Sequence, residues 1–244
     1  MRTYRIKGYA RSCGDLSTSE VEKPPQVGPP ARIHPAAPAR QGSIGAMDRI
    51  QAAYGARASE YASVLGRVDQ MHPCDVALIS SWGAGVCGPI LDAGCGPGHW
   101  TDLLHQANRD VTGIDVVPEF IASARREFPG VRYELMDMAQ MPFPDGSFGG
   151  VMAWYSMIHL DREAATNLVE SFYQLLGDGG SVLLGFFVGA HLESFPHAIT
   201  DANYWDVDKT CDLLCAGGFR IDEVHTRRSQ SHRTHGAIVA TKPC

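Results

Sequence analysis

The sequence predicts an α/β protein built on a doubly wound, mostly parallel sheet. Three observations carry this. From about residue 90, short apolar runs alternate with segments of helical period. The first run opens into a glycine-rich turn, Asp92 to Gly98. The last two runs follow each other with no helix between them, so one strand must run antiparallel, because a parallel return needs a long crossover.

The elements follow in order. Residues 47–86 read as one or two helices. Pro89 to Ala93 is a strand. Trp100 to Gln106 is a helix, with Trp100, Leu103, Leu104 and Ala107 on one face. Val111 to Asp115 is a strand, and Pro118 to Phe128 a helix with proline near its first position. Val131 to Met136 and Phe148 to Tyr155 are strands. Arg162 to Leu176 is a helix ended by Gly177 and Gly179-Gly180. Ser181 to Val188 is a continuously apolar, buried strand. Val207 to Ala216 is a helix stopped by Gly217-Gly218, and Phe219 to Arg227 and Ala237 to Thr241 form a closing pair near the sheet edge. Seven strands result.

Composition narrows the function classes. Of 244 residues, 44% are hydrophobic and 20% charged, as in ordinary globular domains. The seven cysteines are too few for a disulfide scaffold and odd in number, which points to a reducing, cytoplasmic compartment. Cys211 and Cys215 share a helical face, but two thiols make a poor zinc site; no metal is expected. No apolar run has the length of a membrane span.

Charge is unevenly distributed. Residues 1–46 hold seven Lys/Arg, three Asp/Glu and six of the 15 prolines, with no apolar period. They read as a disordered or dispensable extension; a transit peptide, or sequence upstream of a start at Met47, are alternatives. The remainder holds 14 Lys/Arg against 24 Asp/Glu. That acidic balance repels phosphate backbones and argues against nucleic acid as a partner. Arg220, Arg227, Arg228 and Arg233 could form a local basic patch or a solvated hairpin edge.

In an open parallel sheet, ligands bind beyond the carboxyl ends of the strands. There the chain reads Asp92-Ala93-Gly94-Cys95-Gly96-Pro97-Gly98. Glycines let a ligand lie against bare backbone, and unpaired N–H groups at a helix start can bond it. A dinucleotide loop needs G-x-G-x-x-G, and His99 breaks that pattern. The acid-x-G-x-G-x-G pattern fits completely. This segment resembles motif I of class I S-adenosylmethionine-dependent methyltransferases. The run Met141-Pro142-Phe143-Pro144-Asp145-Gly146-Ser147-Phe148 closely resembles the LPFPDGSF run of that family's small-molecule branch. The resemblance covers roughly residues 50–241.

The resemblance implies a Rossmann-like seven-stranded sheet binding S-adenosyl-L-methionine. It implies Asp92 reaching the methionine amino group, with Gly94, Gly96 and the backbone of Cys95 in the cofactor loop. Asp115, with Val116, ends strand two to hold the ribose hydroxyls. Asp137, with Met138, follows strand three to accept the adenine amino group. Ala153 lies on the strand that covers the sulfonium. Tyr54, Ala58 and Tyr61, at helical spacing, belong to an N-terminal lid within 47–86, with plain helix packing as the alternative. His159, just after strand four, is the candidate general base, with a loop-ordering role as its alternative. His191, His197 and Tyr204-Trp205 fall where an acceptor pocket is often lined, with surface packing as the alternative. The chain departs from the family at Gly149-Gly150, where relatives commonly carry an acid.

The implied activity is methyl transfer to a small-molecule acceptor at oxygen, carbon or nitrogen. A nicotinamide-dependent oxidoreductase on a related sheet and a non-catalytic cofactor-binding protein are the alternatives.

Overall fold

The computed structural model describes residues 46–228 and 233–244. The extension at 1–45 lies outside them. Three helices come first: α1 (Ala46–Gly55), α2 (Ala58–Leu65) and α3 (Pro73–Gly85), with a short 3-10 turn at Val68–Gln70. The sequence reading allowed one or two. The extra break falls at Ala56-Arg57, where Gly55 ends one helix and no side chain caps the next.

The α/β body then runs β1 (Ile90–Ala93), α4 (His99–Gln106), β2 (Val111–Asp115), α5 (Pro118–Glu127), β3 (Arg132–Leu135), β4 (Phe148–Trp154), α6 (Arg162–Leu175) and β5 (Leu176–Phe187). Two short strands not foreseen from the sequence, β6 (Glu193–Phe195) and β7 (Ala202–Tyr204), pair as a separate hairpin. The chain closes with α7 (Val207–Ala216), β8 (Arg220–Arg227) and β9 (His235–Thr241).

The main sheet has seven strands in the order β3-β2-β1-β4-β5-β9-β8. Strands β1 to β5 are mutually parallel, and β9 runs antiparallel between β5 and β8. Residues in the middle of β1, β4 and β5 are buried, which explains their unbroken apolar runs. One core layer joins β1, β4 and β5 to α6 and α7 through Phe172, Leu176 and Leu214, and the other joins the sheet to α3 and α4 through Ile79, Trp82 and Leu104. Asp161 and Asp206 cap α6 and α7 by accepting from Ala164 N and Lys209 N, both at 2.9 Å.

Three of the four C-terminal arginines are engaged with neighbours. Arg220 pairs with Asp222 and Arg227 with Asp75, while Arg233 donates to Tyr204 Oη and lies over Phe195. Among the described residues no helix is long and apolar enough to cross a membrane. No cluster of three or more metal-ligating side chains occurs among them.

Candidate functional site

The strand order reverses between β1 and β4, and an open cavity lies at the carboxyl ends there. Its wall includes Tyr61, Gly94, Gly96, Asp115, Val116, Asp137, Met138 and His159. Three of the residues expected to bind the cofactor lie elsewhere. Asp92 is 1% exposed, and its Oδ2 accepts from Thr101 Oγ1 at 2.7 Å. Ala153 is wholly buried in the sheet. The Cys95 side chain packs into the space a Gly113 side chain would need, behind the loop.

The loop bends because Gly94, Gly96 and Gly98 have φ of +83°, +55° and +91°, a region that side chains disfavour. Gly98 provides the close packing that His99 could not: a Cβ there would lie 2.7 Å from Tyr133 Oη and 2.8 Å from Ala124 Cβ. At Gly96 a Cβ would meet nothing within 4 Å, so bare backbone faces open space. The expectation of free N–H donors is corrected. Gly94 N and Cys95 N both donate to Ile114 O, at 2.8 and 2.9 Å. Gly96 N donates to Asp115 Oδ2 at 2.8 Å. What Gly94 to Gly96 offer a ligand is close approach, because their donors are already spent.

Asp115 ends β2 and ties the loop to the next helix. Its second oxygen accepts from Val117 N at 2.9 Å. Burial pushes its carboxyl up to about 6, against the opposing pull of the backbone N–H groups. Gly96, Val116 and Val117 take three of the carboxylate's roughly four acceptor sites, which leaves room for another donor. Asp137 follows β3 and accepts from Ala139 N at 2.8 Å. Ser156, just past β4, presses on Gly94 and has a buried Oγ with no hydrogen-bond partner. A bare backbone cradle, two carboxylates and an orphaned hydroxyl fit a ligand with hydroxyls, amines and an apolar ring, which is what an adenosyl sulfonium presents.

Over the mouth, Tyr54 from α1 and Tyr61 from α2 pack on Phe120. Burial pushes the Tyr61 hydroxyl up to about 12, so it stays protonated. His159 sits in the 3-10 turn after β4, between Tyr54 Oη and the Asp201 carbonyl, each 2.8 Å away. Burial lowers its pKa, partly offset by the Asp201 bond. Residues that sequence reasoning did not assign to the cavity include Met47, Ile50, Phe120 and Met136. The apolar period of α1 was the available signal for the first two. His191, His197, Tyr204 and Trp205 do not line this cavity. Tyr204 stacks on Phe195 at 4.1 Å, and Trp205 is 6% exposed; packing accounts for both.

Asp92 makes its own prediction. Burial pushes its carboxyl up to about 7, opposed by the Thr101 bond and reinforced by Asp115. The folded chain therefore keeps a proton that the unfolded chain releases near 3.8. Stability from the protonated form is present in acid and lost as pH rises from about 4 through 7. Asp92→Asn is expected to recover on the order of 1 kcal/mol of that loss between pH 5 and 7.5. Urea denaturation at both pH values measures it; an unaltered difference would put the proton on another group.

Comparisons with known proteins agree with this geometry. A family model described as "Methyltransferase domain" matches residues 90–180. A probable S-adenosylmethionine-dependent methyltransferase of Mycolicibacterium smegmatis is 32% identical over 140 residues, covering 55% of this chain and 52% of that protein. An O-methyltransferase of Penicillium expansum is 30% identical over 151 residues, covering 55% and 53%. The chain thus spans about half the length of these curated relatives. Among solved structures, Burkholderia thailandensis 1,6-didemethyltoxoflavin-N1-methyltransferase with S-adenosylhomocysteine bound superposes with a TM-score of 0.63 at 19% identity, covering 85% of this chain and 95% of that one. With the motif order and the seven-stranded sheet, these findings give the identification: residues 90–180 match the methyltransferase-domain family, and the chain is similar to S-adenosylmethionine-dependent methyltransferases.

Proposed function

We propose that this protein transfers a methyl group from S-adenosyl-L-methionine to a small-molecule acceptor, in the cytoplasm and without nucleic acid as substrate. One observation carries the reading: Asp115, Asp137 and the bare backbone of Gly94 and Gly96 converge on a single cavity at the strand ends. The acceptor atom is oxygen, carbon or nitrogen.

When bound, the cofactor supplies a methyl group on a good leaving group. The protein's own work is then mainly alignment, which can contribute several kcal/mol. Asp115 would hold the ribose hydroxyls, with Val116 beside it, and Asp137 and Met138 the adenine. Gly94, Cys95 and Gly96 would let the methionine end approach the main chain. Asp92 supports the loop from behind through Thr101 rather than reaching the ligand. Ala153 keeps the sheet face flat beneath. Residues 47–86 would exclude water as a lid, with Tyr61 over the mouth. His159 is the group in the cavity wall suited to take a proton from a hydroxyl or ammonium acceptor. Residues 1–46 would be dispensable, so a chain beginning at Met47 should bind the cofactor product unchanged.

Calorimetric titration with S-adenosylhomocysteine and with NAD tests the cofactor; saturable binding of NAD alone would overturn the reading. Turnover against phenols, quinones and amines tests the transfer. For an acceptor so found, His159→Ala is expected to lower kcat about 10²-fold with S-adenosylhomocysteine affinity changed far less. An equal loss in both would make His159 a structural residue.

A further inference from the structure

Tyr54 and His159 are 105 positions apart in sequence and belong to different layers, yet their polar atoms meet at 2.8 Å. On the opposite edge of the ring, His159 Nδ1 lies 2.8 Å from the carbonyl oxygen of Asp201, in the segment between β6 and β7. A carbonyl can only accept, so Nδ1 carries the hydrogen. The neutral ring then has its lone pair on Nε2, and Tyr54 donates to it. The Tyr54 hydroxyl keeps the hydrogen it donates, since burial raises its pKa well above the ordinary value. Three segments that are far apart in the chain therefore meet at one imidazole: α1, the turn after β4, and the β6–β7 hairpin. The Tyr54 ring adds edge contacts to Tyr61, Phe120 and His159, with centroids 5.7, 5.8 and 5.5 Å away.

We propose that Tyr54 is a positioning residue for His159: with the Asp201 carbonyl it holds the imidazole as the Nδ1–H tautomer, and the same hydrogen bond latches α1 over the cofactor cavity. The second half rests on the cofactor reading above, and the first does not. Fixing which ring nitrogen bears the proton fixes which atom can take another one, and here that atom, Nε2, is covered by the Tyr54 hydroxyl while α1 is in place, so a proton bound for the ring passes through that hydroxyl. Lid closure and orientation of the imidazole are then one event. With α1 displaced, His159 keeps its Asp201 bond but loses the partner that fixes its Nε2 edge.

The test uses the full chain, with ¹⁵N-labelled histidine and S-adenosylhomocysteine as the probe. In the wild type, His159 should show a protonated Nδ1 and an accepting Nε2. In Tyr54→Phe the Nε2 resonance should move toward that of an unbonded lone pair. The affinity for S-adenosylhomocysteine should fall about three- to tenfold, the worth of one hydrogen bond. Backbone hydrogen exchange over 46–55 should rise. His159→Gln, cutting the bond at its other end, should raise exchange similarly, and the double variant should add little. Finding the Nε2–H tautomer in the wild type, or an unmoved resonance in Tyr54→Phe, overturns the positioning role. A moved resonance with unchanged affinity and exchange overturns the latch. Failure of the wild type to bind S-adenosylhomocysteine would instead defeat the cofactor reading, and the resonance and exchange data would still decide the tautomer and the closure of α1.

Discussion

Gly149→Val is expected to destabilise the fold by about 3 kcal/mol or more, the upper end of what overpacking costs. A Cβ at Gly149 would lie 1.8 Å from the carbonyl oxygen of Cys87 and 2.6 Å from its carbon. Both are backbone atoms, so no rotamer change relieves the overlap. The segment they belong to is also pinned, because Gly149 N and Gly150 N donate to Pro89 O at 2.8 and 3.2 Å. Gly150 is nearly as confined, with a Cβ there 2.9 Å from both methyls of Val86. The turn entering β1 thus lies directly across the start of β4. This explains the departure noted in the sequence: the acid that relatives commonly carry after the strand-opening Phe has no room in this chain. Gly149→Asp should therefore fail much as Gly149→Val does. Gly85 is the control, since a Cβ there meets nothing within 4 Å. Gly85→Ala should be neutral or stabilise α3 by up to about 1 kcal/mol. Urea denaturation of the three variants decides it, and a Gly149→Val midpoint close to the wild type would show that the turn before β1 moves aside cheaply.

The sheet was legible because its signals are local. Apolar runs of strand length, each followed by a helical period, fix alternation, and alternation with right-handed crossovers leaves few topologies. The antiparallel β9 was readable for the same reason: nothing between β8 and β9 is long enough to be a crossover. The two carboxylates of the cavity, Asp115 and Asp137, were legible because each follows a strand end, where an open parallel sheet leaves its crevice. What escaped depends on distance. Whether Gly94, Cys95 and Gly96 have free N–H groups is decided by Ile114 O and an Asp115 oxygen on the next strand. Whether Asp92 reaches the cavity is decided by Thr101, nine residues on and facing the buried side. The Tyr54–His159 contact joins two segments with no common period. The β6–β7 hairpin has strands of three residues each, too short to show alternation.

Asp115→Ala is expected to weaken S-adenosylhomocysteine binding by about 1.5–3 kcal/mol, the worth of hydrogen bonds to a charged group. That is roughly a 10- to 150-fold rise in Kd. Two effects add. The carboxylate is the acceptor proposed for the ribose hydroxyls, and it also holds Gly96 N and Val117 N, so its removal frees the loop at the point where the ligand would press on it. Asp115→Asn separates them: the amide keeps one oxygen acceptor and the shape but turns the other acceptor into a donor facing a backbone N–H. Its loss should be of the same order if acceptance by both oxygens matters, and small if only the volume does. The pH dependence follows from burial, which raises this carboxyl to about 6. The charged form is the better acceptor, so wild-type affinity should be full above that value and fall as pH drops through it. In Asp115→Asn this fall should disappear. Titration calorimetry from pH 5 to 8 reads both quantities. Affinity within twofold of wild type in Asp115→Ala would mean that the carboxylate serves only to tie the glycine loop to β2, and the ligand would then have to be held by Asp137 and the bare loop alone.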